Sequence, residues 1–372
     1  VIEIKEVKNR KMLKQFIKFP MELYKDNPYY VPPLISEEIE ALNRDKNPVF
    51  KHAIAHYYLA YKNDKIVGRI ASIINWKEVK DQNKPKVRFG WFDFIDDKEV
   101  VKKLLDKVIE LGKKHHLQYM EGPVGFSNLD KAGLLTKGFE EIPTMVTLYN
   151  YPYYEEQLLN LNFEPAAEWI EYKLDFPSVL PEKVVKFTRL IKERYELKVK
   201  NFQSKEELKE AVEPMFELLD KTYGHLSSYV PIPKEQIQHY KEKYIKLINT
   251  DFVNCIVDKD DKMIAFAITM PSYSKALQKA NGKLFPFGWW YLWQASKKND
   301  TAAFYLIGID PIYQGKGVTA IIFDEMFKVF SKYGIQKLET NPELAENKSI
   351  QTLWKDYNPV NHKRRKTFRK DI

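Results

Sequence analysis

Cysteine is almost absent: Cys255 is the only one in 372 residues. A lone thiol excludes an internal disulfide framework and a cysteine-based zinc site. No apolar run approaches the ~20 residues needed to span a bilayer, and the first residues carry no apolar signal-peptide core. The histidines form no His-Glu-x-x-His pair, and no Gly-x-Ser-x-Gly nucleophile elbow occurs. Neither Gly-x-x-x-x-Gly-Lys-[Ser/Thr] nor Gly-x-Gly-x-x-Gly is present, which removes two common phosphate loops. These absences lead to the expectation of a cytoplasmic protein with no metal and no membrane partner.

The chain does carry a 44% apolar and 14% aromatic composition, which is globular in character. Its length makes two domains the default. The net charge of +9 suits an anionic ligand. It would suit nucleic acid or anionic lipid equally, so it discriminates little.

One stretch organises the rest. Residues Tyr305 to Ile309 read as a short apolar strand, Pro311 breaks it, and glycines follow at 315 and 317. Beyond them Ile321, Ile322, Met326, Val329 and Phe330 recur at helical spacing, so a helix starts near Val318. A strand, a glycine loop and a helix N-terminus together favour phosphate. The first helical turn offers free N–H groups and the positive end of the dipole. Glycine lets a bulky anion approach the backbone, and Lys316 adds a positive charge.

Gln314-x-x-Gly317-x-Thr319 in this setting resembles the Q/R-x-x-G-x-G/A signature of the GNAT N-acetyltransferase superfamily. Thr319 departs from the usual Gly or Ala, but a small hydroxyl can still donate to phosphate. The resemblance implies that Gln314, Gly315, Lys316, Gly317, Val318 and Thr319 hold the pyrophosphate of acetyl-CoA or another acyl-CoA. It implies that Ile307, Gly308 and Ile309 bond the pantetheine arm as an open strand edge. It also implies that the Ile309 amide steadies the thioester oxyanion. The whole chain is similar to a bacterial family of tandem-GNAT proteins of about this length. Pro28 to Leu34, Gly133 to Phe139 and Lys283 to Trp289 carry that likeness. The expected fold is α/β, two tandem GNAT-like domains, each a central mixed, mainly antiparallel sheet flanked by helices.

The pattern supports this duplication on its own. Asp64 to Gly68 matches Asp261 to Ala265, and Leu117 to Glu121 matches Ile335 to Glu339. The offset grows between the two matches, which places an insertion near Lys279 to Asp300. A reset near Pro177 divides the chain into 1–176 and 177–372. In the first half Ile95-Asp96-Asp97 stands where the glycines would be. Carboxylates there cap a helix but repel an anion, so the first half is expected to lack the pyrophosphate loop.

Smaller elements are also expected. A helix ending at Gly138 is predicted from about residue 128, and a long helix from Lys234 to about residue 249. The aromatic run Phe285 to Trp293 reads either as an apolar wall over the acyl or acceptor site, or as a helix buried between domains. The basic tail His362 to Lys370 reads as an edge strand or frayed end, with an anion-collecting role as the alternative.

Catalytic candidates are fewer. An amine acceptor, with pKa ~10.4, must lose a proton before attack. Glu339, at the end of a strand, is one candidate base and Tyr305 another. Asn347 reads as a helix N-cap or, through the GNAT resemblance, a cofactor contact. In that resemblance a Tyr protonates the leaving thiolate. Trp354 stands in its place here, so another group or water must do so. The reading is an N-acyltransferase, most simply an acetyltransferase, in which a small-molecule or peptide amine attacks acyl-CoA directly. The alternative is an acyl-CoA-binding or sensor protein without turnover. Nucleic acid is not the expected partner, since the aromatics are not interleaved with basic residues.

Overall fold

A computed structural model of the chain describes residues 1–372 apart from 128, 178, 227–228 and 246–247. The first half contains β1 (Ile2–Glu6), α1 (Arg10–Leu23), α2 (Ile35–Ala41), β2 (Ala53–Lys62), β3 (Lys65–Asn75) and α3 (Trp76–Asp81). It continues with β4 (Lys86–Phe94), α4 (Lys98–Lys114), β5 (Tyr119–Gly122), β6 (Leu134–Lys137), α5 (Tyr153–Asn160) and β7 (Glu164–Asp175). The second half contains α6 (Glu182–Arg194), β8 (Lys198–Lys200), α7 (Lys205–Tyr223), α8 (Lys234–Tyr244), β9 (Val253–Val257) and β10 (Met263–Pro271). Then come α9 (Ser274–Ala280), α10 (Gly288–Lys297), β11 (Thr301–Ile309), α11 (Val318–Tyr333), β12 (Lys337–Thr340), β13 (Glu343–Leu344), α12 (Lys348–Gln351) and β14 (Val360–Asp371).

The strands form one sheet in the order β1-β2-β3-β4-β5-β14-β7-β12-β11-β10-β9-β8, with β6 beside β14 and β13 beside β7. The two halves repeat one plan. In each, a hairpin turns on residues with positive φ, Asn63 and Asp64 in the first and Asp261 in the second. Each then has a parallel strand pair, β4–β5 and β11–β12, within an otherwise antiparallel sheet. In each half the sheet packs on one long helix. Val100, Leu104 and Val108 of α4 fill the first core; Ile321, Ile322 and Met326 of α11 fill the second.

The sheet is continuous because the last strand of each half crosses over. β7 pairs with β12, and the C-terminal β14 lies between β5 and β7. The basic tail is therefore a central strand rather than an edge or frayed end. Its Lys363 and Arg365 are fully buried against Glu171 of β7, at 3.1 and 2.5 Å. Burial alone would raise the Glu171 pKa, but these two cations outweigh it and hold it at about 2. They are thus committed to the junction and unavailable to an external anion.

Two further expectations change. The segment before Gly138 is strand β6, paired with β14, in place of a helix; residue 128 lies outside the described residues. The helix from Lys234 ends at Tyr244, and residues 246–247 of the expected span also lie outside them.

The expected capping carboxylate is present. Asp97 accepts from the Glu99 and Val100 N–H groups at 2.9 and 3.4 Å, and Lys62 approaches it at 2.8 Å. Asp97→Ala is expected to cost about 1 kcal/mol of stability, read as a lower melting temperature. An unchanged melting temperature would show that the cap contributes nothing.

Candidate active site

The site is built where β11 leaves β12. Their parallel pairing runs from Thr301–Lys337 to Phe304–Thr340 and stops there. On the other side of β11 the register slips between Ile268 and Thr269, skipping Tyr305. Such a bulge adds a residue to one strand and bends it. Past the bulge, Asp310 N–H donates to Ile264 O at 2.8 Å. By strand alternation Leu306 and Gly308 also face β10, so the main-chain groups of Ile307 and Ile309 face the gap. Their carbonyls are held there by side chains. Tyr223 of α7 donates to Ile307 O at 2.6 Å, while Thr222 and Gln314 donate to Ile309 O at 3.2 and 3.1 Å.

The glycine loop follows this edge directly. Gly315 and Gly317 have φ of +72° and +82°, in the left-handed region that favours glycine. Gly317 is the N-cap of α11, and no side chain caps that helix. The Lys316 ammonium lies 5.4 and 5.5 Å from the Tyr195 and Tyr313 ring centres. A strand edge, an uncapped helix N-terminus and a cation therefore lie in sequence along one path. Asn347 serves as the N-cap of α12, accepting from Ile350 N–H at 3.4 Å.

The equivalent edge of the first half is closed. β4 carries the same bulge, its register slipping opposite Arg69 and Ala71. Here Phe94 N–H donates to the Tyr154 hydroxyl at 3.0 Å, and the Tyr153 hydroxyl donates to Phe94 O at 2.6 Å. Tyr154 and Tyr24 are fully buried and bonded to each other. Aromatic side chains thus fill the edge, and Asp97 occupies the helix start.

Two buried carboxyls flank the open gap. Glu339 is raised above its ordinary pKa by burial. Burial also raises the Tyr305 hydroxyl, with further pushes from Tyr273 and Glu339, which places these three groups in one neighbourhood. His362 Nδ1 lies 3.5 Å from Glu141 and 4.0 Å from Glu339. Burial and the Lys363 charge push its pKa down to about 3, so it is neutral. The donor atoms of Glu141, Glu339 and His362 lie within 4.8 Å of one another, close enough to surround a cation. Lys173 already forms a salt bridge with Glu141.

Glu343 is the carboxyl that the sequence reading missed. Burial pushes it up to about 8, although the Trp354 indole N–H donates to Oε1 at 2.7 Å. Trp354 is itself fully buried, its ring edge-on to Phe304 of β11. Tyr357 stacks on Phe176 and packs against Phe323 in the core. The substitution at 354 was visible in the sequence; its carboxylate partner eleven residues earlier was not. A concavity of ≈ 800 Å³ lies elsewhere, between α1 and the β2–β3 hairpin.

Comparison with known proteins bears on the fold. No family model matches the chain. It is 25% identical over 371 residues to Protein YghO of Escherichia coli, covering 98% of this chain and 94% of that one. It is 22% identical over 384 residues to the bacterial ceramide synthase of Caulobacter vibrioides, covering 98% and 96%. A tandem GNAT protein from the clavulanic acid biosynthesis pathway superposes with a TM-score of 0.59 at 10% identity, covering 100% and 98%.

Proposed function

We propose that this chain, whose fold is that of two GNAT-type halves in tandem, is an N-acyltransferase that moves an acyl group from acyl-CoA to a primary amine. The observation that carries the reading is the open β11 edge running into the uncapped N-terminus of α11. The N–H groups of Ile307 and Ile309 would bond the pantetheine arm, Gly308 being turned to β10 instead, and Gln314 to Thr319 would bond the pyrophosphate. Asn347 would add its amide nitrogen. The Ile309 N–H, facing the gap, would bond the thioester oxygen as negative charge develops. Of the units 1–176 and 177–372, only the second would bind acyl-CoA.

The acceptor would enter from the Glu339 face. Three acceptors around one point, from Glu141, Glu339 and His362, match the three N–H bonds of a primary ammonium. Glu339 would take one proton, directly or through water, with Tyr305 beside it. The freed amine then attacks the thioester carbon, and a C–N bond replaces the C–S bond. Glu343, held by Trp354, would return a proton to the departing thiolate. A carboxyl poised near 8 is mostly protonated at neutral pH, as an acid requires. A ceramide is the fatty amide of a long-chain amine, so the reaction that names the Caulobacter relative is of this same class.

The test is release of free thiol from acetyl-CoA and longer acyl-CoAs across a panel of primary amines, long-chain amines included. Turnover with at least one amine is expected, and Glu339→Gln should lower kcat by about tenfold or more. Acyl-CoA binding without turnover on any amine would favour a non-catalytic sensor.

A further inference from the structure

The insert that lengthens the second half has two unlike faces. Its inner side is anchored: Leu277, Leu284 and Leu292 pack with Val31, Leu34 and Met145. Gln278 donates to the Pro28 and Tyr30 carbonyls at 2.8 and 3.0 Å. The outer side is bare. Phe285 is 77% exposed, Phe287 63%, Trp289 and Trp293 49% each, and Trp290 40%. The three tryptophans nonetheless make contacts of their own. Trp290 stacks on Trp293 at 5.0 Å, and the Trp289 indole donates to Pro286 O at 2.9 Å. The expectation of a helix buried between domains is therefore met only on the inner side.

Charge distinguishes the possible occupants. Residues 263 to 299 contain five lysines and no aspartate or glutamate. All five, Lys275, Lys279, Lys283, Lys297 and Lys298, are exposed. Contiguous exposed aromatics mark an interaction surface. Tryptophan and phenylalanine flanked by lysine suit the boundary between lipid headgroups and acyl chains, with ammonium groups reaching the phosphates. A ten-residue helix reaches only about 15 Å, half the ~30 Å hydrocarbon core. It can lie in a bilayer surface but cannot cross it.

We infer that α10 and the turn at 285–287 dock the protein onto an anionic phospholipid membrane, rings first. No helix among the described residues is long and apolar enough to span a membrane, so the attachment is peripheral. The inner side of the insert reaches toward the site, since Tyr273 packs with Leu284 and Leu292 and lies near Tyr305. The inference stands apart from the acyl-transfer chemistry and is tested without it.

The experiment is co-sedimentation of the full chain with phosphatidylcholine vesicles, with and without phosphatidylglycerol, alongside tryptophan emission. The wild type should bind the anionic vesicles at least about tenfold better than the neutral ones, with a blue shift in emission. Phe285→Asp/Phe287→Asp/Trp293→Ser should lose that binding while keeping the wild-type melting temperature. Lys279→Glu/Lys283→Glu/Lys297→Glu should lose the preference for phosphatidylglycerol. Failure of the wild type to bind anionic vesicles would overturn the inference, as would undiminished binding by the ring variant. Sedimentation velocity without lipid covers the remaining occupant. A wild-type dimer that the ring variant dissociates would assign the face to a second copy instead.

Discussion

Gly317→Glu should abolish acyl-CoA binding: titration with acetyl-CoA is expected to show affinity lower by at least about a thousandfold. Two effects act together. The residue has φ +82°, and a Cβ there would lie 2.9 Å from the Phe187 ring and 3.2 Å from Ile191, so any side chain disturbs the loop. The new carboxylate also sits at the N-cap of α11, where the pyrophosphate would lie. Like charges ~4 Å apart at an effective dielectric of 20 cost about 4 kcal/mol, which alone is about a thousandfold. Gly315→Ala separates strain from charge. A Cβ at 315 meets nothing within 4 Å, so that variant bears only the left-handed backbone penalty of about 1–2 kcal/mol. It should bind measurably, and circular dichroism should show both variants folded. Wild-type affinity in folded Gly317→Glu would remove the loop from the site.

Glu343→Gln is expected to lower kcat by about a hundredfold, the range of a lost general acid, with little change in KM. The wild-type kcat should fall above pH 8 as the carboxyl ionises; in the variant that alkaline limb should vanish. Stability must move the other way. A carboxyl whose folded pKa is about 8, against 4.5 when free, favours folding fully only below the free value. That contribution is lost as pH rises from the free value through about 8. Glutamine does not titrate, so Glu343→Gln should be less active yet more stable than wild type at pH 8. A purely structural glutamate would not produce that pairing. Unchanged kcat, or an alkaline limb that survives, would dismiss Glu343 as the acid.

The parts written locally in the chain were the readable ones. The strand, glycines and apolar helix around 305–330 lie within one contiguous stretch, and so does the missing loop at Ile95 to Asp97. Periodicity and turn residues reveal such stretches because the forces that set them act between near neighbours. The crossover of β7 and β14 was not readable. Lys363 and Arg365 in a run of basic residues look solvated, and only Glu171, nearly two hundred residues earlier, makes them a buried junction. Glu343 escaped for the same reason: its raised pKa comes from burial, which leaves no mark on the surrounding sequence. The aromatic insert was conspicuous by composition, but which of its faces meets solvent depends on the Val31 and Leu34 segment of the other half.

A single opening for acyl-CoA, on the second half of the molecule, underlies the proposed chemistry. Calorimetric titration with acetyl-CoA measures this most directly. One site per chain is predicted, absent in Gly317→Glu and retained in Asp97→Lys, which alters the matching position of the first half. Two sites of similar affinity, or one site that survives Gly317→Glu and disappears in Asp97→Lys, would contradict it.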